Sequence, residues 1–331
     1  MRLTPQEADW LYALQRPWPL VERPLAALAA DLGTTEDALL RFIAGLRAQG
    51  LVRRVGAVFD ARRLGYRSCL FALPPQPPAE EEAAARRLAA LPGVTHAYLR
   101  GWPEGLTLGG VTAADYAGLP RLWFTLSARG DRFEAEAARL ADLRPIPFPA
   151  LVRYKIDVVF DPRTRARDER TEYAAPAEPR PAVPLPEPRR AVVRRYQDDT
   201  PDPAAPFRPE DLPQLRAWQA DGTLRRFALL LFHRASGFAA NGMCCWHVPE
   251  AEADGFGRRL AAEPDVTHCY ARPLTPAFPF NLYAMIHKSS WQEGFDTFRR
   301  LTDAAGLPPG KVLFSTREYK KSSVRFFLEE D

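Results

Sequence analysis

The chain has 331 residues, 46% of them hydrophobic, and a formal net charge of +4. It is long enough for two to four domains, its charge is too mild to argue for a nucleic-acid partner, and no apolar run approaches the ~18 residues of a membrane span. The opening MRLTPQEADW lacks the basic-then-apolar layout of a secretory signal, and Cys69, Cys244, Cys245 and Cys269 show no CxxC spacing, so they read as buried or half-buried free thiols of a cytoplasmic protein.

In chain order, Thr4-Pro5-Gln6-Glu7 is a capping box with proline at the first helical position and opens a first helix. Arg23-Pro24 starts a second, and Leu32-Gly33-Thr34 makes a tight turn. The third helix carries Leu39, Phe42, Ile43 and Leu46 at i, i+3, i+4 and i+7, an apolar stripe. From Arg53 the chain reads as a strand, which completes a winged helix-turn-helix over 1–60. A βαββαβ run over 61–161 follows the ferredoxin-like plan: strand 68–75, helix 79–91, the strand holding VTHAYLR, strand 121–128, a helix near 131–141 and a last strand 151–160. Residues 161–190 hold seven prolines, many charges and almost no large apolar side chains, which predicts an extended linker over 162–190. Pro206 to Gly222 is ten residues shorter than Pro24 to Gly50, so a truncated helix-turn-helix is expected over 191–235, with one helix near 210–220. A second ferredoxin-like domain fills 236–331: strand 242–249, helix 250–262, the strand holding VTHCYAR, strand 281–288, helix 290–304 and strand 312–321.

The plan repeats because the sequence repeats. VTHAYLR (94–100) and VTHCYAR (266–272) lie 172 residues apart, as do GLVRRVGAVFDARRLGY (50–66) and GTLRRFALLLFHRASGF (222–238). That offset is too long for a solenoid. It describes two homologous halves fused into an intramolecular pseudo-dimer, with homodimerisation of the whole chain a further option. On a strand, His96, Tyr98 and Arg100 share one face, as do His268, Tyr270 and Arg272. Each copy thus sets a proton donor of near-neutral pKa, a phenol and a permanent cation in a row. Several other polar residues have plainer readings. His233 sits in an arginine-rich hinge, the arginine pairs Arg53/Arg54 and Arg225/Arg226 suit inter-domain salt bridges, and alternation turns Cys245 and His247 away from Cys244 and Trp246. Trp123, Phe124, Tyr283 and Met285 read as core.

A winged helix-turn-helix followed by βαββαβ resembles the Lrp/AsnC regulators, and GLVRRVGAVFDARRLGY is similar to the strand and hinge joining their two domains. The fold class is therefore α+β, with two Lrp/AsnC-like halves. DNA reading fits poorly. The third helix offers Glu36 and Asp37 in its first turn and then Arg41, Arg47 and Gln49, and acidic residues there repel phosphate. Most of the second helix-turn-helix is missing. The alternative of a DNA-binding regulator, or of a haem or tetrapyrrole sensor, stands beside an enzymatic reading.

The chain resembles the siroheme decarboxylase family over nearly its whole length. The first half matches one subunit type through RRVGAVFDARRLGY, GVTHAYLR, LWFTL and YKIDVVFD, the second the other through HRxxGFxANGMCCW, VTHCYxR, MIH and STREYKK. The resemblance implies conversion of siroheme to 12,18-didecarboxysiroheme, with loss of two acetate carboxylates as CO2, in haem d1 biosynthesis of denitrifiers. It implies no cofactor beyond the substrate's own iron tetrapyrrole, and it leaves room for further siroheme decarboxylase subunits as partners. Catalysis would fall to His268, His287 and His96, and substrate binding to Arg272, Arg100, Tyr270, Asn281, Arg317, Lys320, Arg225 and Arg234. Either His287 or His268 would ligate the siroheme iron. After Arg100 the first half carries GWPEGLTLGGVTAADYAGLPRLWFTL, twelve residues longer than its counterpart, and Arg121 stands where the second half has Asn281. The chemistry is therefore expected in the second half.

Overall fold

The computed structural model describes residues 3–156, 185–232 and 240–328. His233, Arg234 and the proline-rich stretch as far as residue 184 lie outside the described residues. No described helix is long and apolar enough to cross a membrane.

Helices α1 (Pro5–Gln15), α2 (Pro24–Asp31) and α3 (Glu36–Ala48) lead into strand β1 (Val52–Phe59). The Thr4–Glu7 capping box forms as the sequence requires. Leu39, Ile43 and Leu46 of α3 are fully buried, so the stripe faces the core and leaves the acidic first turn outside. In the second half, α6 (Glu187–Tyr196) and α7 (Leu212–Asp221) lead into β7 (Leu224–Leu231). Helix α6 corrects the sequence reading, because it starts inside the expected linker and adds a second helix to the truncated unit. Pro188 is compatible with the first turn of a helix, where no amide partner is lost, and Val192, Val193 and Tyr196 supply its buried face. No counterpart of α2 stands between α6 and α7 among the described residues; that stretch has only a short 3-10 turn, Pro209–Asp211.

Strands β1 and β7 form a two-stranded antiparallel ribbon. Gly56 faces Ala228, its own repeat counterpart, so the pseudo-two-fold axis passes through the middle of the ribbon. One apolar core encloses both helical units, the ribbon and the C-terminal Phe326 and Phe327.

The remaining strands form a nine-stranded sheet. The first half contributes β2 (Tyr66–Ala72), β3 (Val94–Gly101), β4 (Leu122–Arg129), β5 (Ile146–Phe148) and β6 (Val152–Ile156), and the second β8 (Ala240–Trp246), β9 (Val266–Ala271), β10 (Leu282–Lys288) and β11 (Lys311–Lys321). Helices α4 (Pro78–Ala90), α5 (Phe133–Ala138), α8 (Ala253–Ala262) and α9 (Trp291–Ala304) complete the two βαββαβ units. The spatial order is β5-β2-β4-β3-β11-β8-β10-β9-β6. The end strands β5 and β6 are joined by residues 149–151 alone, so the sheet must curl until its ends meet, with two layers face to face. Aromatic contacts between the halves fill the interior: Trp123 meets Phe278 at 4.9 Å and Phe148 meets Tyr283 at 6.5 Å between ring centroids.

The halves exchange strands, which the sequence pattern did not show. The first half was expected to end in one strand over 151–160. The described part of that strand is β6, with residues 157–160 outside the described residues, and Pro145, Pro147 and Pro149 interrupt the chain ahead of it. The short β5 serves as an edge strand, where proline is tolerated, and β6 crosses to pair with β9. Reciprocally, β11 pairs with β8 through Lys311–Phe314 and with β3 through Phe314–Lys321. The first-half insertion also crosses over. Trp102 stacks on Tyr116 at 5.4 Å and sets its edge on Phe295 of α9 at 5.4 Å, while Lys311 Nζ donates to the Asp115 carbonyl at 2.7 Å. The insertion therefore packs on helix α9 and strand β11 of the other half.

Candidate active site

The duplicated strand does what alternation requires. On β3, Ala97 and Leu99 turn to the core under α4 and α5, so His96, Tyr98 and Arg100 face the interior between the two layers. The rings of His96 and Tyr98 lie 6.1 Å apart, and Arg100 sits over the Tyr98 ring at 4.9 Å. On β9 the same ladder recurs: His268 and Tyr270 lie 6.4 Å apart, and Arg272 sits over Tyr270 at 4.8 Å. The structure thus brings both predicted triplets together in equivalent geometry.

A threonine beside each histidine sets the ring. Thr267 Oγ1 donates to the Met285 carbonyl at 3.1 Å and lies 3.0 Å from His268 Nδ1. A hydroxyl has one proton. With that proton on the carbonyl, the oxygen accepts from Nδ1–H, and the neutral imidazole keeps its lone pair on Nε2. Thr95 repeats the arrangement, 3.4 Å from the Thr125 carbonyl and 3.0 Å from His96 Nδ1. The halves differ in what comes next. In the second, His287 Nδ1 lies 3.4 Å from the same Thr267 hydroxyl, so two histidines share one oxygen. In the first, the strand position equivalent to His287 is Ser127, which bonds Ser68 at 2.7 Å. Sequence reading missed Thr95 and Thr267, although both repeats spell Val-Thr-His.

The electrostatics follow from burial. Loss of solvent, with Lys321, Arg53 and Arg100 nearby, pushes the His96 pKa down to about 4. Burial raises the Tyr270 hydroxyl against the pull of Arg272, Arg153 and Arg225, so it stays a neutral phenol. Burial lowers the pKa of Arg100 and Arg272, yet a guanidinium starts so high that both remain cations. Arg272 donates Nη1 to the Phe148 carbonyl, which Pro149 leaves at the end of β5. Asp60 lies at the edge of the second-half site. Burial alone would raise its carboxyl, but the Arg225 hydrogen bond at 2.8 Å and the charges of Arg225, Arg62 and Arg153 prevail and hold it at about 2.

Other expected binding residues have different tasks. Asn281 is buried, and its amide bonds Val248 in both directions at 2.9 Å, pinning the end of β8 to the start of β10. Arg317 forms an ion pair with Glu82 at 2.9 Å on the outer surface. Lys320 Nζ donates to the Leu91 carbonyl at 2.6 Å. The register explains both basic residues: Arg317 and Lys320 pair with Leu99 and Ala97 and so point to the helix side. Arg225 is committed to Asp60 but stands near Tyr270. His247 contacts the Pro279 carbonyl at 3.1 Å on the exposed side. The four cysteines are free and buried. Among the described residues no group of three or more His, Cys, Asp or Glu could hold a metal ion. Arg47 of α3 pairs with Asp199 at 2.8 Å, which removes one of its few candidate contacts to DNA.

Comparison with known proteins bears on this geometry. Residues 10–53 match the siroheme decarboxylase NirDL-like HTH domain and residues 235–320 the AsnC-like ligand binding domain. The chain is 32% identical to the siroheme decarboxylase of Hydrogenobacter thermophilus, covering 97% of this chain and 94% of that one. It is 35% identical to the siroheme decarboxylase beta subunit of Methanosarcina barkeri, which covers 40% of this chain and is itself covered to 95%. Its fold is similar to the crystal structure of the siroheme decarboxylase NirDL in co-complex with an iron-uroporphyrin III analogue, with a TM-score of 0.67 and 28% identity over 96% of this chain and 93% of that one.

Proposed function

The chain belongs to the siroheme decarboxylase family and is a carboxy-lyase, and on that premise we propose that it converts siroheme to 12,18-didecarboxysiroheme on the way to haem d1, with the second-half site as the chemical centre. The observation that supports this choice is the pair His268 and His287 at one Thr267 hydroxyl, beside Tyr270 and Arg272. The bond from each acetate methylene to its carboxylate breaks, CO2 leaves, and the bonding electrons stay on the methylene carbon, where the macrocycle can delocalise them. A proton then converts that carbon to a methyl group. The step is redox-neutral, so its balance calls for a proton donor and for no oxidant.

The residues fit those demands. Histidine supplies a donor near neutral pH, and a second histidine can hold the substrate iron while the first delivers the proton. Arg272 remains charged and holds a carboxylate or steers the reacting one. A buried, water-poor interior favours loss of charge from the carboxylate, since an isolated anion is costly there. Arg225, paired with Asp60, adds positive charge near Tyr270 at the edge of the site. The test is anaerobic incubation of the purified chain with siroheme, following product mass. Loss of two CO2 units is the expected result. Tight binding without mass loss, together with a shift of promoter DNA, would sink the enzyme and leave a regulator.

A further inference from the structure

We propose that the interior seam between the two halves holds a carboxylate subsite, anchored by Arg100 of the first half and edged by Ser315 and Asn241 of the second. The proposal rests on the siroheme reading and names where a non-reacting carboxylate of that substrate is held.

Three observations carry it. First, Arg100 is only 7% exposed, yet among the described residues its guanidinium makes no hydrogen bond or ion pair; its recorded contact is with the Tyr98 ring, and Nη1 is buried without a partner. The two N–H donors of a buried, unpartnered Nη1 cost free energy that a native structure seldom leaves uncompensated. Its repeat counterpart Arg272 has the Phe148 carbonyl. Beside Arg100 stands β11, paired through Ser315, and no equivalent carbonyl accepts from its guanidinium among the described residues.

Second, the sheet register sets other unpartnered polar atoms beside it. Phe314 pairs with both Gly101 and Gly242, and Gly242 with Ile286. The next row, on the opposite face, is Arg100 with Ser315 and Asn241 with His287. Ser315 and Asn241 are neighbours by continuation of the β8–β11 register. Ser315 Oγ and Asn241 Oδ1 are also buried without partners. A hydroxyl and an amide that can turn either way complement a carboxylate held by a guanidinium.

Third, the row ends at His287, which the proposed function places at the chemistry. Four adjacent strands, β3, β11, β8 and β10, separate Arg100 from His287 by three strand spacings, about 14 Å. A ligand that touches both is wide and carries a carboxylate far from its reacting one, as a tetrapyrrole rimmed with acid side chains does. The site is then composite, since the anchor comes from one half and the histidine from the other.

The experiment titrates siroheme anaerobically into the parent chain, Arg100→Leu, Arg100→Lys and Ser315→Ala, following absorbance, with the methyl ester of siroheme as the ligand lacking carboxylates. Arg100→Leu should weaken siroheme binding at least tenfold, Arg100→Lys should recover part of it, and Ser315→Ala should cost a few-fold. The ester should bind the parent and Arg100→Leu alike. Arg100→Leu should melt no lower than the parent, because it removes a buried unpaired charge; a merely structural arginine would melt lower. Equal siroheme affinity in parent and Arg100→Leu, or equal weakening for the ester, overturns the subsite. If the parent fails to bind siroheme, the proposed function falls, and sodium acetate against equal sodium chloride decides the subsite alone. An acetate-specific rise in Tm of the parent that is lost in Arg100→Leu supports it, and no such difference overturns it.

Discussion

Lys155 Nζ donates to the carbonyl of Glu263, the C-cap residue of α8 in the opposite half, at 2.9 Å. Lys320 does the same to Leu91, the C-cap residue of α4, at 2.6 Å, and Leu91 and Glu263 are repeat counterparts 172 residues apart. Each half therefore caps a helix of the other with a lysine from its exchanged strand, where a cation meets the negative end of the helix dipole. The adjacent tyrosines reach the same helices: Tyr154 bonds the Ala253 carbonyl at the start of α8 at 3.3 Å, and Tyr319 bonds Glu82, the fifth residue of α4. Lys155→Met and Lys320→Met should each lower unfolding free energy by about 1.5 to 3 kcal/mol, the scale of a hydrogen bond to a charged group. Denaturant titration measures the loss. Siroheme affinity should stay within a factor of two, and a large drop for Lys320→Met would return that lysine to the binding site.

Thr267 offers a sharper probe of the chemistry, because it touches both histidines and no predicted reacting group depends on its own acidity. Thr267→Val keeps the shape and removes the oxygen that orients His268 and His287. Loss of an orienting partner of this kind costs on the order of 10–100-fold. The expected signature is a kcat reduced by that factor with KM little changed, and near-parent activity for Thr267→Ser. If the serine variant is as impaired as the valine one, the hydroxyl is not what sets the rings.

Local features with local causes are legible in the sequence. Pro5 and Thr4 dictated α1, and the stripe Leu39, Phe42, Ile43 and Leu46 dictated the buried face of α3. Strand alternation alone placed His96, Tyr98 and Arg100 on one face. What escaped was set between distant segments. Nothing in the Tyr-Lys of 154–155 or 319–320 says that these strands are exchanged, because the exchange depends on three prolines interrupting one chain end and on the length of β11. Lys320 and Arg317 looked like ligands for a carboxylate because they are basic and lie on a motif strand. A bulge between Ser315 and Arg317 and another between Glu318 and Lys320 turn them to the helices, and bulges leave little mark in sequence. Asn281 was a polar residue beside a predicted site, and only the structure shows both ends of its amide spent on Val248.

The depressed His96 pKa makes a prediction about acid stability. An unfolded histidine titrates near 6.5, and folded His96 does so at about 4. Between those values the unfolded chain takes up a proton that the folded one refuses, so stability falls as pH drops from 6.5 to 4 and this contribution levels off below. His96→Gln lacks the effect. The parent-minus-variant difference in unfolding free energy should therefore be flat above pH 7 and shrink steadily towards pH 4. Asp60, held at about 2, acts in a lower window, as pH falls from about 3.9 towards 2, and does not confuse the reading. A difference that is constant across the range would mean that His96 is not desolvated as the structure places it.

Two nearly identical ladders need not contribute equally, and turnover can tell them apart. His268 shares Thr267 with His287, whereas among the described residues His96 shares Thr95 with no second ring, because Ser127 stands in the equivalent place and is spent on Ser68. His96 is also surrounded by Lys321, Arg53 and Arg100, cations that disfavour the protonated form a general acid requires. His268→Ala should lower kcat by 10²-fold or more, the usual range for loss of a general acid, while His96→Ala should lower it less than tenfold. Siroheme titration in parallel separates binding from chemistry: His268→Ala should keep most of its affinity if His287 holds the iron, and lose it if His268 does. Equal losses of kcat in the two variants would mean that the halves share the chemistry, and that the difference between Ser127 and His287 does not decide where the proton is delivered.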